Sequence, residues 1–529
     1  MSLAVATRRI ARAAIAVAPM AMVALAGCAP EELPPLPEAL IVIDTDAPVP
    51  KLVDRLRIDF YDGDGRWFDS RDLPRRHARD WPASFSVYGE TEGEARTLLL
   101  RLRAYRDGKV RDYRGERFST RPAPGDPAEI LEPPPPTAGE TPRLSKDGDD
   151  VTPATEPLPN LTIDRLVRVE LEPNVRSSVR VTLRGACFGT MADLDGLTTC
   201  IDTENERVAV RTEPDDEDMS VPSASSSLNG FGAPRACERA PRSATFGPDG
   251  VPFHDAEVCV PGGAFVLGSA DAAGLILFSA LDSTPERIAI IPPLLVDEHE
   301  VTVARWRRAR SEGFLPIYDP NVTSSADAPL PHTSGHPDGK FCTYSDAPLV
   351  EFSRETYPLN CVGWDEARAF CRFYGGDLLT EAQWEYVASG TGDSGETLYA
   401  WGNDPPSCDA QVYSRFGAGD FCFPYAYGPA PAGTGWGDLS PDLVRDLGGS
   451  MEEWVLDSPQ RFDARCWASV GLHDPRCWQE DSEERGMRGG TWGSGRALLS
   501  ALRPIPISVD LLSSDLGFRC ARPGVEPAP

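Results

Sequence analysis

The chain has 529 residues and a formal net charge of −29, and 41% of its residues are hydrophobic. This length and apolar share support two or three domains with sizeable cores. The acidic balance excludes nucleic acid as a partner, because binding a phosphate backbone needs a basic patch. The 51 prolines and 47 glycines point to many turns and loops.

Residues 1–28 read as an export signal. Arg8, Arg9 and Arg12 make a basic start, and Ala13 to Ala26 is an uncharged apolar run too short for a membrane span. The run ends in Leu25-Ala26-Gly27-Cys28, which resembles a bacterial lipobox. Cys28 is therefore expected to be lipidated, and its acyl chains to tether the protein to a membrane. Ala29, rather than aspartate, follows Cys28. That favours the outer membrane, so the expected location is the cell envelope, periplasmic or surface-exposed. Residues 29–39, rich in Pro and Glu, form a tether.

Residues 40–212 read as one all-β, sandwich-like domain. Leu40 to Ile43 is an apolar run, and Leu56 to Phe60 alternates apolar with polar, as in a half-buried strand. Asp62-Gly63-Asp64-Gly65 signals a turn. Asp62 and Asp64 are not followed by an EF-hand series, so the turn reading prevails over calcium. Ser84 to Tyr88, Leu98 to Leu102, Leu166 to Leu171 and Val179 to Leu183 are further strands. An insertion at about 120–160, with prolines 133–136 and a charged run at 146–150, is expected to be disordered or a long loop. Residues 213–245 are polar and read as a linker.

Thirteen cysteines less Cys28 leave twelve, an even number that suits disulfides in an oxidising compartment. Their order suggests Cys187 with Cys200, Cys237 with Cys259, Cys342 with Cys361, Cys408 with Cys422 and Cys466 with Cys477. Cys371 and Cys520 are left over. Order alone does not fix connectivity.

From Val258 onward a series of motifs appears in order. Val260-Pro261-Gly262-Gly263-Ala264-Phe265 opens it, and Glu300-Val301-Thr302 leads into a helix. Val362-Gly363-Trp364-Asp365-Glu366-Ala367, Leu378-Leu379-Thr380-Glu381-Ala382-Gln383-Trp384-Glu385-Tyr386 and Tyr399-Ala400-Trp401-Gly402-Asn403 follow. Asp446-Leu447-Gly448-Gly449-Ser450-Met451-Glu452-Glu453-Trp454, Arg488-Gly489-Gly490-Thr491-Trp492 and Leu516-Gly517-Phe518-Arg519-Cys520 complete it. In this order the motifs resemble the sulfatase-modifying-factor (formylglycine-generating enzyme) family over residues 246–523, with 524–529 as a tail. The resemblance implies an α+β, C-type-lectin-like fold with little regular structure. It also implies a disulfide between Cys371 and Cys520. Thr380 and Gln383 stand at capping-box spacing, which makes Thr380 the start of a helix.

In that family two cysteines bind Cu(I) as thiolates. Their positions fall on Ser494 and Leu499, and neither a hydroxyl nor an alkyl chain is a soft ligand, so copper is not expected. A second family disulfide falls on Ala388 and Pro504 and is lost. His332 and His336 have an i, i+4 spacing in a Pro/Gly-rich stretch, which reads as polar surface rather than a metal pair. The family's calcium turn keeps Glu453 but has Ser450 in place of asparagine, which leaves calcium open with Glu453 as its ligand.

Two readings result. The first is a lipid-anchored, non-catalytic binding or structural module for a glycan, peptide or protein; Trp436, Trp467 or Trp478 would suit glycan stacking, but core or loop packing is the favoured reading of them. The second is an oxidase of the formylglycine-generating or iron-dependent type that uses other ligands.

Overall fold

The computed structural model describes residues 36–89, 94–114, 143–211, 230–270, 283–318, 320, 341–344, 354–391, 397–415, 422, 428–502 and 505–526. The expected signal with Cys28, most of the tether, His332, His336, Pro504 and the start of the insertion lie outside these residues.

The first region is built from β1 (Glu38–Thr45), β2 (Arg55–Asp62), β3 (Trp67–Pro74), β4 (Ala83–Tyr88), β5 (Arg96–Tyr105), β6 (Val110–Asp112), β7 (Ser145–Lys146), β8 (Asp149–Asp150), β9 (Thr155–Pro157), β10 (Ile163–Leu171) and β11 (Arg176–Leu183). One sheet runs β11-β1-β4 and the other β10-β5-β2-β3. Ile41 and Ile43 of the first sheet share one apolar core with Leu56, Ile58, Leu100, Leu102 and Val167 of the second. The alternation of β2 predicts one wet face, and here the structure differs. Arg57 and Asp59 are buried, at 2% and 1% exposure. Arg101 pairs with Asp164 at 2.6 Å, and Arg103 and Arg57 pair with Asp59. Sequence alternation marks which residues share a face; it does not say what covers that face. Here Leu194, Leu197 and Val210 pack over Leu99 and Leu166 on the far side of β5 and β10.

Regular structure also resumes inside the expected 120–160 insertion. β7 and β8 form a small hairpin, and β9 pairs with β6 through Val110↔Pro157 and Asp112↔Thr155. Arg111 and Glu156 bond at 2.9 Å, which anchors that pairing.

A short pair, β12 (Thr198–Thr199) and β13 (Val208–Ala209), closes the first region; the second has short elements: β14 (Glu257–Val260), β15 (Gly263–Leu267), β16 (Arg287–Ile291), β17 (Leu294–Asp297), α1 (Val303–Ser311), α2 (Trp364–Phe373), β18 (Asp377–Leu378), α3 (Glu381–Glu385), β19 (Glu452–Trp454), α4 (Arg465–Ala468), β20 (Glu484–Arg488), β21 (Ile505–Ser508), β22 (Leu516–Gly517) and β23 (Cys520–Pro523). It is a mixed fold, mostly strands with few helices. The sheet β14-β17-β23-β18 brings the end of the chain back beside its start, and β21-β20-β19-β22 forms a second. Six disulfides join Cys187–Cys200, Cys237–Cys259, Cys342–Cys361, Cys371–Cys520, Cys408–Cys422 and Cys466–Cys477.

The two regions meet in a packed seam. Ala264, Val266, Ile288 and Leu472 complete the core of the first region. Lys109 bonds Glu286 at 2.7 Å, Lys51 donates to the Gly390 carbonyl at 2.7 Å, and Glu204 accepts from Leu472 N at 2.7 Å. The described half of the expected linker belongs to this seam. Phe231 N donates to Asp46 O, Arg235 and Gly262 exchange backbone bonds, and Cys237 is bonded to Cys259. Backbone bonds recur along it, from Phe231, Ala233, Arg235, Glu238 and Arg239, so residues 230–245 are a fixed strap rather than a free tether.

Candidate functional site

Three places could carry function: the Glu453 turn, the Ser494–Leu499 stretch, and an open cleft. β19 holds Glu453 between β20 and β22. Arg519 donates to Glu453 from Nε at 2.8 Å and from NH2 at 2.6 Å, and Trp384 Nε1 donates to it at 2.9 Å. The same guanidinium donates to the carbonyls of Asp297 and Arg445 at 3.2 and 2.7 Å. One arginine thus joins β17, the turn before β19, and β19 itself. Both Glu453 oxygens are engaged by donors. A calcium ion needs six to eight oxygens, and to take Glu453 it would have to displace Arg519. Ser450, at φ +66°, supplies no amide oxygen in place of the asparagine. Among the described residues no three His, Cys, Asp or Glu side chains are grouped to hold a metal. The Glu453 turn therefore does not fit calcium; it is built as an ion pair.

Acidic groups crowd this turn. Asp438 accepts from the amides of Gly448 and Gly449, and burial pushes it up to about 6. Asp446 accepts from Gly433 N and is raised by burial and then by Asp438. Glu300 is fully buried with no hydrogen-bond partner on either oxygen, and burial, followed by Asp446, pushes its pKa well above the usual carboxylate range.

Beyond β20 the chain makes a tight crossing. A Cβ on Gly489 would lie 2.7 Å from Leu447 O, and one on Gly490 would lie 2.6 Å from Gly448 O. Only glycine lets the two turns approach this closely. Trp492 then donates from N to Ser450 O at 2.8 Å and from Nε1 to Ser514 O at 3.1 Å. Ser494 Oγ accepts from Thr491 N at 3.1 Å, so its hydroxyl closes a local turn. Leu499 is 0% exposed and packs with Tyr399, Tyr413, Cys422 and Trp401. Ala388 is also buried in a core.

The cleft is open, with a volume of about 700 Å³. Its walls are the turn before β18, the start of α3, the 470–476 loop and β23. Thr380 and Gln383 form the capping box: Gln383 N donates to Thr380 Oγ1 at 3.1 Å, and Thr380 N to Gln383 Oε1 at 3.0 Å. Gln383 Nε2 reaches Asp474, which sits at φ +43°. That backbone region is costly for a non-glycine residue and is held here by Asp474 N donating to Ile290 O at 2.8 Å. His473 and Arg476 line the same opening. Beneath it, burial and then Glu381 push Asp457 up to about 8, against two amide donors at 2.8 and 2.6 Å.

The tryptophans divide. Trp436 is 66% exposed. Trp467 is 1% exposed, T-stacked on Phe462, and so offers no ligand platform. Trp478 carries Arg485 and Arg368 at 4.8 and 5.1 Å. Cys466 and Cys477 are bonded to each other, so neither is a thiolate. The cleft residues His473 and Arg476 escape a reading of the sequence; the one local signal is the insertion between Cys466 and Cys477.

The sulfatase-modifying factor enzyme 1-like domain matches residues 242–523, just over half of the chain. The chain belongs to that family. It is 28% identical over 171 residues to the inactive C-alpha-formylglycine-generating enzyme 2 of Bos taurus, which covers 31% of this chain and 50% of that protein. The formylglycine-generating enzyme of Streptomyces coelicolor is 29% identical over 164 residues, 28% of this chain and 51% of its own length. That of Bos taurus is 26% identical over 299 residues, 50% of this chain and 74% of its own length. The chain thus spans about half the length of the first two relatives.

Proposed function

We propose that this protein is a non-catalytic binding module of its family, carried on a lipid anchor at Cys28 in the cell envelope, with its irregular second region a C-type-lectin-like scaffold. The observation that carries the reading is Leu499. Where the family's chemistry needs a second thiolate, an alkyl side chain fills a closed apolar cluster, and Ser494 spends its hydroxyl on a local turn. Hard or apolar groups do not hold Cu(I). A relative whose name carries the word inactive supports the same reading. The open cleft, with both polar and apolar walls, is where a glycan, peptide or protein ligand is received.

The test is metal content of the purified chain by mass spectrometry, after copper and iron loading and buffer exchange. Less than a tenth of an equivalent of either metal, by rough criterion, is the expected result. One tightly held redox metal per chain would overturn the reading in favour of an oxidase with other ligands.

A further inference from the structure

The two ends of the first region have different surroundings. At one end β1 finishes at Thr45, opposite Leu183 of β11. The next residue, Asp46, accepts from Phe231 N at its carbonyl and from Gly185 N at Oδ1. Gly232, one position on from Phe231, accepts from Ala264 N at 2.9 Å. Lys51 and Lys109 reach Gly390 and Glu286 from this same end. It is the seam with the second region.

The opposite end is where the chain enters. Glu38, first in β1, faces Tyr88, last in β4, and Arg176, first in β11. Glu38 N donates to Val175 O at 3.1 Å, and Gly89 N to Pro37 O at 2.9 Å. The turn between β10 and β11 closes here through Val175 N to Glu172 O at 3.2 Å, and Leu171 before it faces Arg96, first in β5. The Arg96 guanidinium lies over the Phe68 ring at 5.5 Å.

Large apolar side chains collect at this second end. Among the described residues up to 212, six are exposed: Leu36, Leu40, Phe68, Tyr88, Val151 and Val175. All but Val151 belong to the end just traced, and these five are 40–55% exposed. Opposite residues of an antiparallel pair share a face, so Leu40, two positions after Glu38, lies diagonally across from Tyr88 on the outer side of β1 and β4. Exposed apolar residues scattered singly need no account, but five at one end of a sandwich mark a contact surface. Arg176 pairs with Glu38 at 3.3 Å and Arg96 is spread on Phe68, so the cations here add their aliphatic stems to the patch. The chain itself points to what covers this surface. Eight positions separate Leu36 from Cys28, a reach of at most about 29 Å when fully extended. An acyl anchor at Cys28 holds this end close to a bilayer.

We propose that Leu36, Leu40, Phe68, Tyr88 and Val175 seat the first region on the lipid surface, with their side chains in the interfacial layer of the membrane. Tyrosine suits that boundary, with an apolar ring and a polar tip. Strands of eight to ten residues, rising about 3.3 Å per residue, then hold the seam roughly 25–30 Å off the membrane. The inference rests on the lipid-anchor reading and adds an orientation to it.

The experiment places the full chain on vesicles of phosphatidylethanolamine and phosphatidylglycerol with brominated acyl chains, which quench tryptophan within the lipid. Tyr88→Trp and Val151→Trp each add one tryptophan at an exposed position, and both variants should melt as the parent does. The emission added by Tyr88→Trp should be quenched about twofold more, or better, than that added by Val151→Trp, because an interfacial side chain sits among the upper acyl carbons. Adding Leu40→Asp and Val175→Asp to the Tyr88→Trp chain should remove that excess. Equal quenching of the two added tryptophans, or none for Tyr88→Trp, overturns the proposal. So does a dimer in sedimentation velocity that the two aspartates dissociate, because a second copy of the chain would then be what covers the patch. The mass of the N-terminal peptide reads the anchor by itself. Acylated Cys28 without quenching sinks the seat and leaves the anchor; unmodified Cys28 sinks the anchor reading whatever the quenching shows.

Discussion

The two regions solve the same backbone problem by different means. In the first, β1, β2, β5 and β10 run eight to ten residues and satisfy their amides by pairing with one another. Among the described residues it needs one disulfide, Cys187–Cys200. In the second, the strands are two to five residues long. Backbone groups there are met by side chains reaching across the fold, such as Asn360 Nδ2 to Ser514 O at 2.7 Å and Arg488 NH1 to Ala501 O at 2.9 Å. Disulfides and buried ion pairs hold what ladders do not. A fold with little regular structure is more exposed to single changes, because each side chain satisfies several backbone groups at once.

The largest effect is expected at the longest crosslink. Cys371 and Cys520 are 149 residues apart, and replacing both with serine should cost about 5 kcal/mol on chain-entropy grounds, against about 3 kcal/mol for Cys187 with Cys200, 13 apart. Denaturant unfolding of the two double variants measures this, and equal losses would break the contrast. Next, Arg519→Met leaves Glu453 buried and unpaired and should cost about 3–5 kcal/mol by the same assay.

The seam offers a sharper test. Leu472, from the second region, is 4% exposed in the core of the first, so Leu472→Ala should cost about 2–5 kcal/mol. It should also lower a single unfolding transition seen by calorimetry. Two separate transitions, with only one moved, would mean that the regions fold independently.

Stability should depend on pH in a stated direction. Asp438 at about 6 and Asp457 at about 8 bind protons more tightly folded than unfolded. Their contribution is full below the unfolded value near 4 and is lost as pH rises through 6 to 8. Asp59 works the other way: burial opposes ionisation, but Arg103 and Arg57 outweigh it and hold the group at about 2, so its contribution fades only in strong acid. The melting temperature should therefore rise by roughly a few degrees from pH 8 to pH 5. A flat profile would show that these carboxyls are ionised in the folded chain. The smallest change expected is Thr380→Ala, which removes one cap and should cost about 1 kcal/mol.

Much of this was legible in the chain itself. The strand positions in residues 40–183, the Asp62 turn, the Thr380–Gln383 cap and the family motifs all follow from local pattern and residue type. Those features depend on neighbours within a few residues. Tertiary structure alone decided the rest. It turned Arg57 and Asp59 from surface to buried pairs, engaged Glu453, where the sequence left calcium open, with Arg519, and made residues 230–245 a strap rather than a linker. Each outcome depends on what a distant segment places against the residue. Arg519 lies 66 positions from Glu453, and Leu472 N lies 268 positions from the Glu204 carboxylate that accepts from it. No periodicity carries that information, because the energy of a buried charge is set by its counter-ion and not by its neighbours in sequence.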